Sequence, residues 1–325
     1  MASELLRHLR PLHVLLNVFG IITFKINSET HIITFSNRYL DITKVAINCL
    51  LTVFIINFVL ELKMIFRNST LFLFLSIVYI HIQAIKTTFV NITRYILKSK
   101  YSSCWNEMLK ADEDFISAIN HINYSVMQYP LIAKIFYIVM RNSVILITLK
   151  GTLIVNPLRC MVLLALIFFD IQFLIIRTEF ITFIILIQNY FKQLEEKLRE
   201  LEGKIMTQEY NTTIMSRNIS KCYSKICNMS RNMLDIIWIQ ITTEFLEVII
   251  IITIQGYFLL SKLYESKNTN VKFLSVPYSV FLSVDAIVTL AEIVVPSYLC
   301  MQNVSIFKKI IPSLKIVVAG YQIIE

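Results

Sequence analysis

The side chains in this sequence that could do chemistry are polar and titratable groups set inside long apolar runs. Lys86, Arg141, Asp170, Arg177, Glu179, Glu244, Glu247, Asp285 and Glu292 each interrupt an otherwise hydrophobic stretch. In hydrocarbon such a group costs about 2.5–3.5 kcal/mol on insertion scales unless it is paired or hydrated, so each implies an interhelical ion pair or a wet recognition site. Arg177 and Glu179 lie two residues apart and do not share a helical face, so their partners must come from other helices. A second group combines polar tips with aromatic bodies: Tyr79, Gln83, Asn142, Asp170, Gln255, Tyr257 and Tyr278, with His81, Gln172 and Ser279 nearby. Side chains of this kind converging between helices make a small-molecule pocket. Tyrosine is also an interface-belt residue, so Tyr257 and Tyr278 fit span ends equally well.

Catalytic chemistry is not encoded in any recognisable form. There is no GxSxG, P-loop, HExxH or Gly-rich dinucleotide fingerprint. The five histidines (His8, His13, His31, His81, His121) are dispersed. The six cysteines (Cys49, Cys104, Cys160, Cys222, Cys227, Cys300) form no CxxC pair and have no histidine at zinc spacing. The expectation is a protein that recognises rather than reacts: no enzyme, no cofactor, no metal.

The elements that must position these residues are membrane helices. Of 325 residues, 56% are hydrophobic and only 16% charged, against about 25% charged in an average soluble domain. Mean hydropathy is +0.65. Six apolar blocks of membrane-spanning length follow one another: Lys44–Leu62, Leu71–Lys98, Gln128–Leu149, Pro157–Gln188, Leu234–Leu260 and Phe273–Met301. None alternates as a strand would. The fourth is long enough to protrude well beyond the hydrocarbon. An earlier run, Pro11–Phe24, is short for a span and reads as an interfacial or re-entrant helix.

Loop charge sets orientation. About 20 Lys and Arg fall on the side of the N-terminus and about 7 on the other, so the positive-inside rule puts the N-terminus in the cytoplasm. The net charge of +9 is therefore a topology signal and not a nucleic-acid footprint. Asn68-Ser69-Thr70 falls in the first outer loop, which makes Asn68 a glycosylation acceptor. The remaining sequons fall on inner or membrane positions.

The inner segments are helical too. Trp105, Met108, Leu109, Phe115, Ile116, Ile119 and Ile122 recur at helical spacing, as do Phe191, Leu194, Leu198, Leu201 and Ile205. Glu195 with Arg199 and Glu200 with Lys204 supply i,i+4 pairs. Two heptads are too few for a coiled coil, which favours intramolecular packing of long helices below the membrane. The fold class is all-α: a polytopic membrane bundle with long helices extending into the cytoplasm. Three segments organise it: residues 1–43 as a cytoplasmic N-terminus, 44–301 as a six-span ligand-binding bundle, and 302–325 as a cytoplasmic C-terminal segment.

Four stretches resemble the insect gustatory receptor family. The opening Leu9-Arg10-Pro11-Leu12, with Asn17-Val18-Phe19-Gly20, is similar to the start of those receptors. Ile187-Gln188-Asn189-Tyr190-Phe191-Lys192-Gln193-Leu194 resembles their exit from the fourth span. Tyr223-Ser224-Lys225-Ile226-Cys227 through Asn232-Met233-Leu234 resembles the approach to the fifth, and Val295-Pro296-Ser297-Tyr298-Leu299-Cys300 the exit from the sixth. The resemblance implies a seven-span, ligand-gated cation channel in the plasma membrane, a homotetramer or a co-assembly with related subunits. It implies a tastant bound in the outer half of spans two to six and a pore lined by the seventh span. Family members close on a Thr-Tyr, five mostly apolar residues and Gln-Phe; this sequence ends Gly320-Tyr321-Gln322-Ile323-Ile324-Glu325. That departure implies either a chain truncated before its pore helix, and then non-conducting by itself, or a divergent branch of the family. The odorant receptors are the nearest alternative. A transporter or scaffold would show inverted repeats or Gly/Pro-broken spans, and only five glycines are present.

Overall fold

The computed structural model describes residues 4–21, 24–26, 33–35, 38–58, 70–119, 122–153, 157–205 and 209–265. It also describes helical residues at 284, 287–288, 290–291, 294–295, 297–299, 301–306, 308–309 and 312. The elements in order are α1 (Glu4–Val18), β1 (Phe24–Ile26), β2 (Ile33–Phe35), α2 (Arg38–Phe58) and α3 (Thr70–Ile96). Then follow α4 (Lys98–Ile119), α5 (Ser125–Leu153), α6 (Pro157–Ile205) and α7 (Glu209–Glu265).

The helical bundle is the one the apolar blocks require. Two segments among the described residues, Tyr39–Phe58 and Cys160–Glu200, are long and apolar enough to cross a bilayer. At 1.5 Å per residue, the 49 residues of α6 and the 57 of α7 reach about 75 and 85 Å. A hydrocarbon core is about 30 Å thick, so both helices continue far past it as unbroken rods. The lower part of α6 carries the stripe expected of a helix in protein contact: Phe191, Leu194 and Leu198 are buried. They join Trp105, Met108 and Phe115 of α4 and Ile219, Ile226 and Met229 of α7 in one core at the Lys/Arg-rich end of the bundle. Trp105 is fully enclosed, its ring edge-on to Phe183 at 5.1 Å between centroids. The long helices thus pack intramolecularly, as two heptads suggested. Of the two i,i+4 pairs, Glu195–Arg199 forms at 2.6 Å, while Glu200 takes Lys197 at 2.8 Å. The side chain of Lys204 lies outside the described residues.

The N-terminal helix differs from the expectation of an interfacial segment. It begins at Glu4 and ends at Val18, and Leu5, Leu9, Leu12 and Leu16 are buried in the main core. These leucines recur every three or four residues and give the helix an apolar stripe that protein, rather than lipid, covers. The stop is encoded by Phe19-Gly20. Gly20 adopts φ of 71°, its N–H donates to Asn17 O at 3.0 Å, and the Ile21 N–H reaches Leu16 O at 2.8 Å. These are the paired bonds of a Schellman motif, closed by apolar contact between its flanks, and both Leu16 and Ile21 are buried. A short antiparallel hairpin follows, Phe24 opposite Phe35 and Ile26 opposite Ile33. The chain is otherwise helical where described, and this two-strand turn had no sufficient alternation to announce it.

Candidate functional site

The buried polar groups concentrate where α3, α5 and α6 meet. On α3, Gln83, Thr87, Asn91 and Arg94 stand three or four residues apart and form one stripe; all four are buried. On α6 the facing residues are Asp170, Gln172 and Glu179, also buried. Gln83 Nε2 donates to Asp170 Oδ1 at 3.3 Å, Asn91 Nδ2 to Gln172 Oε1 at 3.3 Å, and Arg94 Nη1 lies 2.8 Å from Glu179 Oε2. Numbers rise together along the two helices, so α3 and α6 run parallel. Arg141 of α5 donates to Asp170 Oδ2 from the other side, and Asn189 of α6 donates to Asn123 O at 3.0 Å. Those two bonds fix α5 and α6 antiparallel.

The network extends to α1 and α2. Gln172 Nε2 donates to Phe19 O at 2.8 Å, so the carbonyl released at the α1 stop is accounted for. Thr52 of α2 is hydrogen-bonded to Thr88 of α3. Lys86 lies over the Phe173 ring at 3.3 Å, and Arg177 approaches the same ring at 4.7 Å. Charges buried here are held by opposite charges, amides or aromatic faces, which is what makes their presence in an apolar bundle affordable.

The predicted site residues divide accordingly. Gln83 and Asp170 are brought into direct contact, joined by Arg141. Asn142 is buried one residue along α5, but its amide donates to Ile138 O at 2.9 Å within its own helix. Its carbonyl oxygen has no hydrogen-bond partner among the described residues. Tyr79, Gln255 and Tyr257 belong to α3 and α7, with side chains outside the described residues. Tyr278 and Asn68 lie outside them altogether, as do the side chains of Glu244, Glu247, Asp285 and Glu292. Glu179 takes its partner from another helix, α3, as expected, whereas Arg177 lies against the Phe173 ring of its own helix.

Arg94, which is not among the titratable groups singled out within the apolar blocks, is 7% exposed and forms an ion pair within the bundle. The signal was its place at the end of the Gln83, Thr87, Asn91 stripe, since a solvated loop residue has no reason to continue a helical period.

A different arrangement occupies the Lys/Arg-rich end. Tyr124, just before α5, and Tyr190, near the end of the apolar part of α6, both donate to Asp112 Oδ1, at 2.5 and 2.6 Å. Asp112 and Tyr190 are fully enclosed. Beside it, Asp114 pairs with Lys225 of α7. A cleft of about 300 Å³ opens between the start of α5 and α6, lined by Asn123, Val126, Asn189, Lys192, Gln193 and Glu196 among others. Its lining mixes amides with both charges and makes no catalytic constellation. No cluster of three metal-ligating side chains occurs among the described residues.

With this geometry in view, the comparisons decide the family. A model described as 7tm chemosensory receptor matches residues 9–311. The chain belongs to this family. As a chemosensory receptor it is a multi-pass membrane protein and not an enzyme. Among solved structures it is similar to the insect olfactory receptor OR5 from Machilis hrabei, with TM-score 0.61 and 12% identity over 97% of this chain and 89% of that one. That likeness is one of fold. A search of the curated proteins finds no sequence match.

Proposed function

We propose that this chemosensory receptor is of the gustatory type, a ligand-gated cation channel subunit that binds a small-molecule tastant between its membrane helices. The observation that carries the reading is the meeting of Gln83, Arg141 and Asp170, from three helices, at one level of the bundle. Two of those helices, α5 and α6, meet again at the far end through Asn123 and Asn189. A ligand that displaces Gln83 or Arg141 from Asp170 alters the spacing of rods that reach from the outer half to the cytoplasm. It shifts gating only to the extent that it binds one spacing better than the other. Tyr79, Gln83, Asn142, Asp170, Gln255, Tyr257 and Tyr278 are the proposed ligand-contacting set. The N-terminus is cytoplasmic, Asn68 of the first outer loop is a glycosylation acceptor, and the subunits assemble in the plasma membrane as a homotetramer or with related receptors.

The gustatory branch is favoured by the Pro-Leu and Phe-Gly of the opening and by Pro-Ser-Tyr-Leu-Cys at 296–300. The test is thermal-shift binding with the purified full chain against sugars, amino acids and bitter compounds, followed by current recording alone and with related subunits. A saturable shift with a soluble tastant, weakened in Gln83→Ala, supports the reading. Response only to volatile odorants, and only with an odorant coreceptor, would move the protein to the olfactory branch.

A further inference from the structure

Asp112 is a fully enclosed acid outside the polar stripe, and its surroundings are unusual for a carboxylate. One oxygen, Oδ1, accepts from both Tyr124 and Tyr190; the other, Oδ2, is buried with no hydrogen-bond partner among the described residues. No cation faces it. From α1 comes Glu4, and from α4 itself Glu113, both of the same sign as an ionised Asp112. His8 of α1 stacks on the Tyr124 ring at 5.3 Å. Lys225 of α7 is taken by Asp114, with Cys222 on the Asp114 carbonyl. The strand β2 also packs on α4. The α3 contact is at the other end of α4, where Arg94 lies over the Tyr101 ring at 5.3 Å. The two phenols belong to the start of α5 and to the lower part of α6, and Phe115 packs on Tyr190 with centroids 4.8 Å apart.

We propose that Asp112, Tyr124 and Tyr190 form a proton-operated latch that clamps the inner ends of α5 and α6 to α4, tight when Asp112 is protonated and loosened when it ionises. The neutral acid leaves no charge in a dry pocket, and its carbonyl oxygen still accepts both phenols. Ionisation buries a negative charge beside Glu4 and Glu113 with only two neutral donors to offset it. Burial raises the Asp112 pKa, the two phenol hydrogen bonds pull it down, and Glu113 and Glu4 add to the rise. A carboxyl held above its unfolded value contributes stability that is complete below the unfolded pKa and lost as pH rises through the folded one. Protonation of Asp112 therefore tightens the junction. Resting on the channel reading above, a tighter junction opposes separation of the inner helix ends and raises the tastant concentration needed to respond.

Hydrogen exchange on the full chain in lipid nanodiscs, at about pH 6 and about pH 8 with intrinsic rates removed, tests the latch without ligand or current. Amides of residues 108–119, 122–126 and 186–194 should exchange faster at the higher pH. In Asp112→Asn the same amides should stay slow at both. No pH effect in the wild type, or the same effect in Asp112→Asn, overturns the latch. If Asp112→Asn does not fold, Tyr190→Phe serves: it removes one donor to the carboxylate, keeps the ring on Phe115, and should move the midpoint to higher pH. An unchanged midpoint overturns the proposal. Excised-patch recording gives the gating arm, in which acid on the cytoplasmic side should right-shift the tastant response of wild type but not of Asp112→Asn. An exchange effect without that shift overturns the link to gating and leaves the latch standing.

Discussion

Arg94 of α3 and Glu179 of α6 form an ion pair at 2.8 Å with side chains only 7% and 2% exposed. Neither charge has water to fall back on, so the pair is conditional on both partners. Glu179→Gln or Arg94→Ala alone should destabilise the bundle by about 3–5 kcal/mol, because each leaves a buried charge without its counter-charge. The double replacement Arg94→Met with Glu179→Leu should cost much less than the sum. Thermal unfolding in detergent or nanodiscs measures all three, and additive losses would contradict the coupling.

Asp170 holds two partners of unequal weight. Gln83→Ala removes a neutral donor and should cost about 1 kcal/mol. Asp170→Ala leaves Arg141 enclosed without its carboxylate and should cost about 3–5 kcal/mol, visible as lost surface expression. Equal effects of the two substitutions would mean that the Arg141 pair is not the main tie between α5 and α6.

Gly20 has φ of 71°, and an added Cβ would sit 3.3 Å from Lys44 Cγ. Gly20→Ala should therefore destabilise the α1 stop by about 1–2 kcal/mol, the ordinary cost of a left-handed non-glycine residue. The flexible lysine stem can give way, so conformation dominates the loss. Protection of the Ile21 amide against exchange is the direct readout, since its bond to Leu16 depends on that turn.

Burial pushes the Cys104 thiol up to about 12, with Glu107 adding to the rise and Lys100 opposing it. The thiolate is the reactive form, so Cys104 should resist iodoacetamide at about pH 8 while the bundle is intact. Cys227, half-buried, should react first. Alkylation of Cys104 at the same rate as Cys227 in folded protein would show that the α4 core opens freely. Trp105→Ala, which empties the fully enclosed neighbouring position, should cost about 3–5 kcal/mol and expose Cys104 to the reagent.

Much of this protein is determined locally and can be read from the chain. Apolar blocks of membrane length give helices because lipid satisfies no backbone group, and no partner is needed for that conclusion. The Trp105–Met108–Phe115 stripe and the Phe191–Leu194–Leu198 stripe likewise carry their burial in their spacing. The Phe19-Gly20 stop is local as well. Pairing is different. Residue types told that Glu179 needs a partner on another helix, but not that Arg94 supplies it, since that depends on α3 lying parallel to α6 at one register. The leucine face of α1 told of burial without telling whether lipid or protein covers it, and packing against α4, α5 and α6 decided for protein. Asp112 had no sequence signal at all. Its two tyrosines stand 12 and 78 residues away along the chain, and only the convergence of three helices turns an ordinary helix-surface aspartate into an enclosed acid. Helix existence follows from the solvent each residue needs, whereas partners follow from which rods the bundle sets side by side.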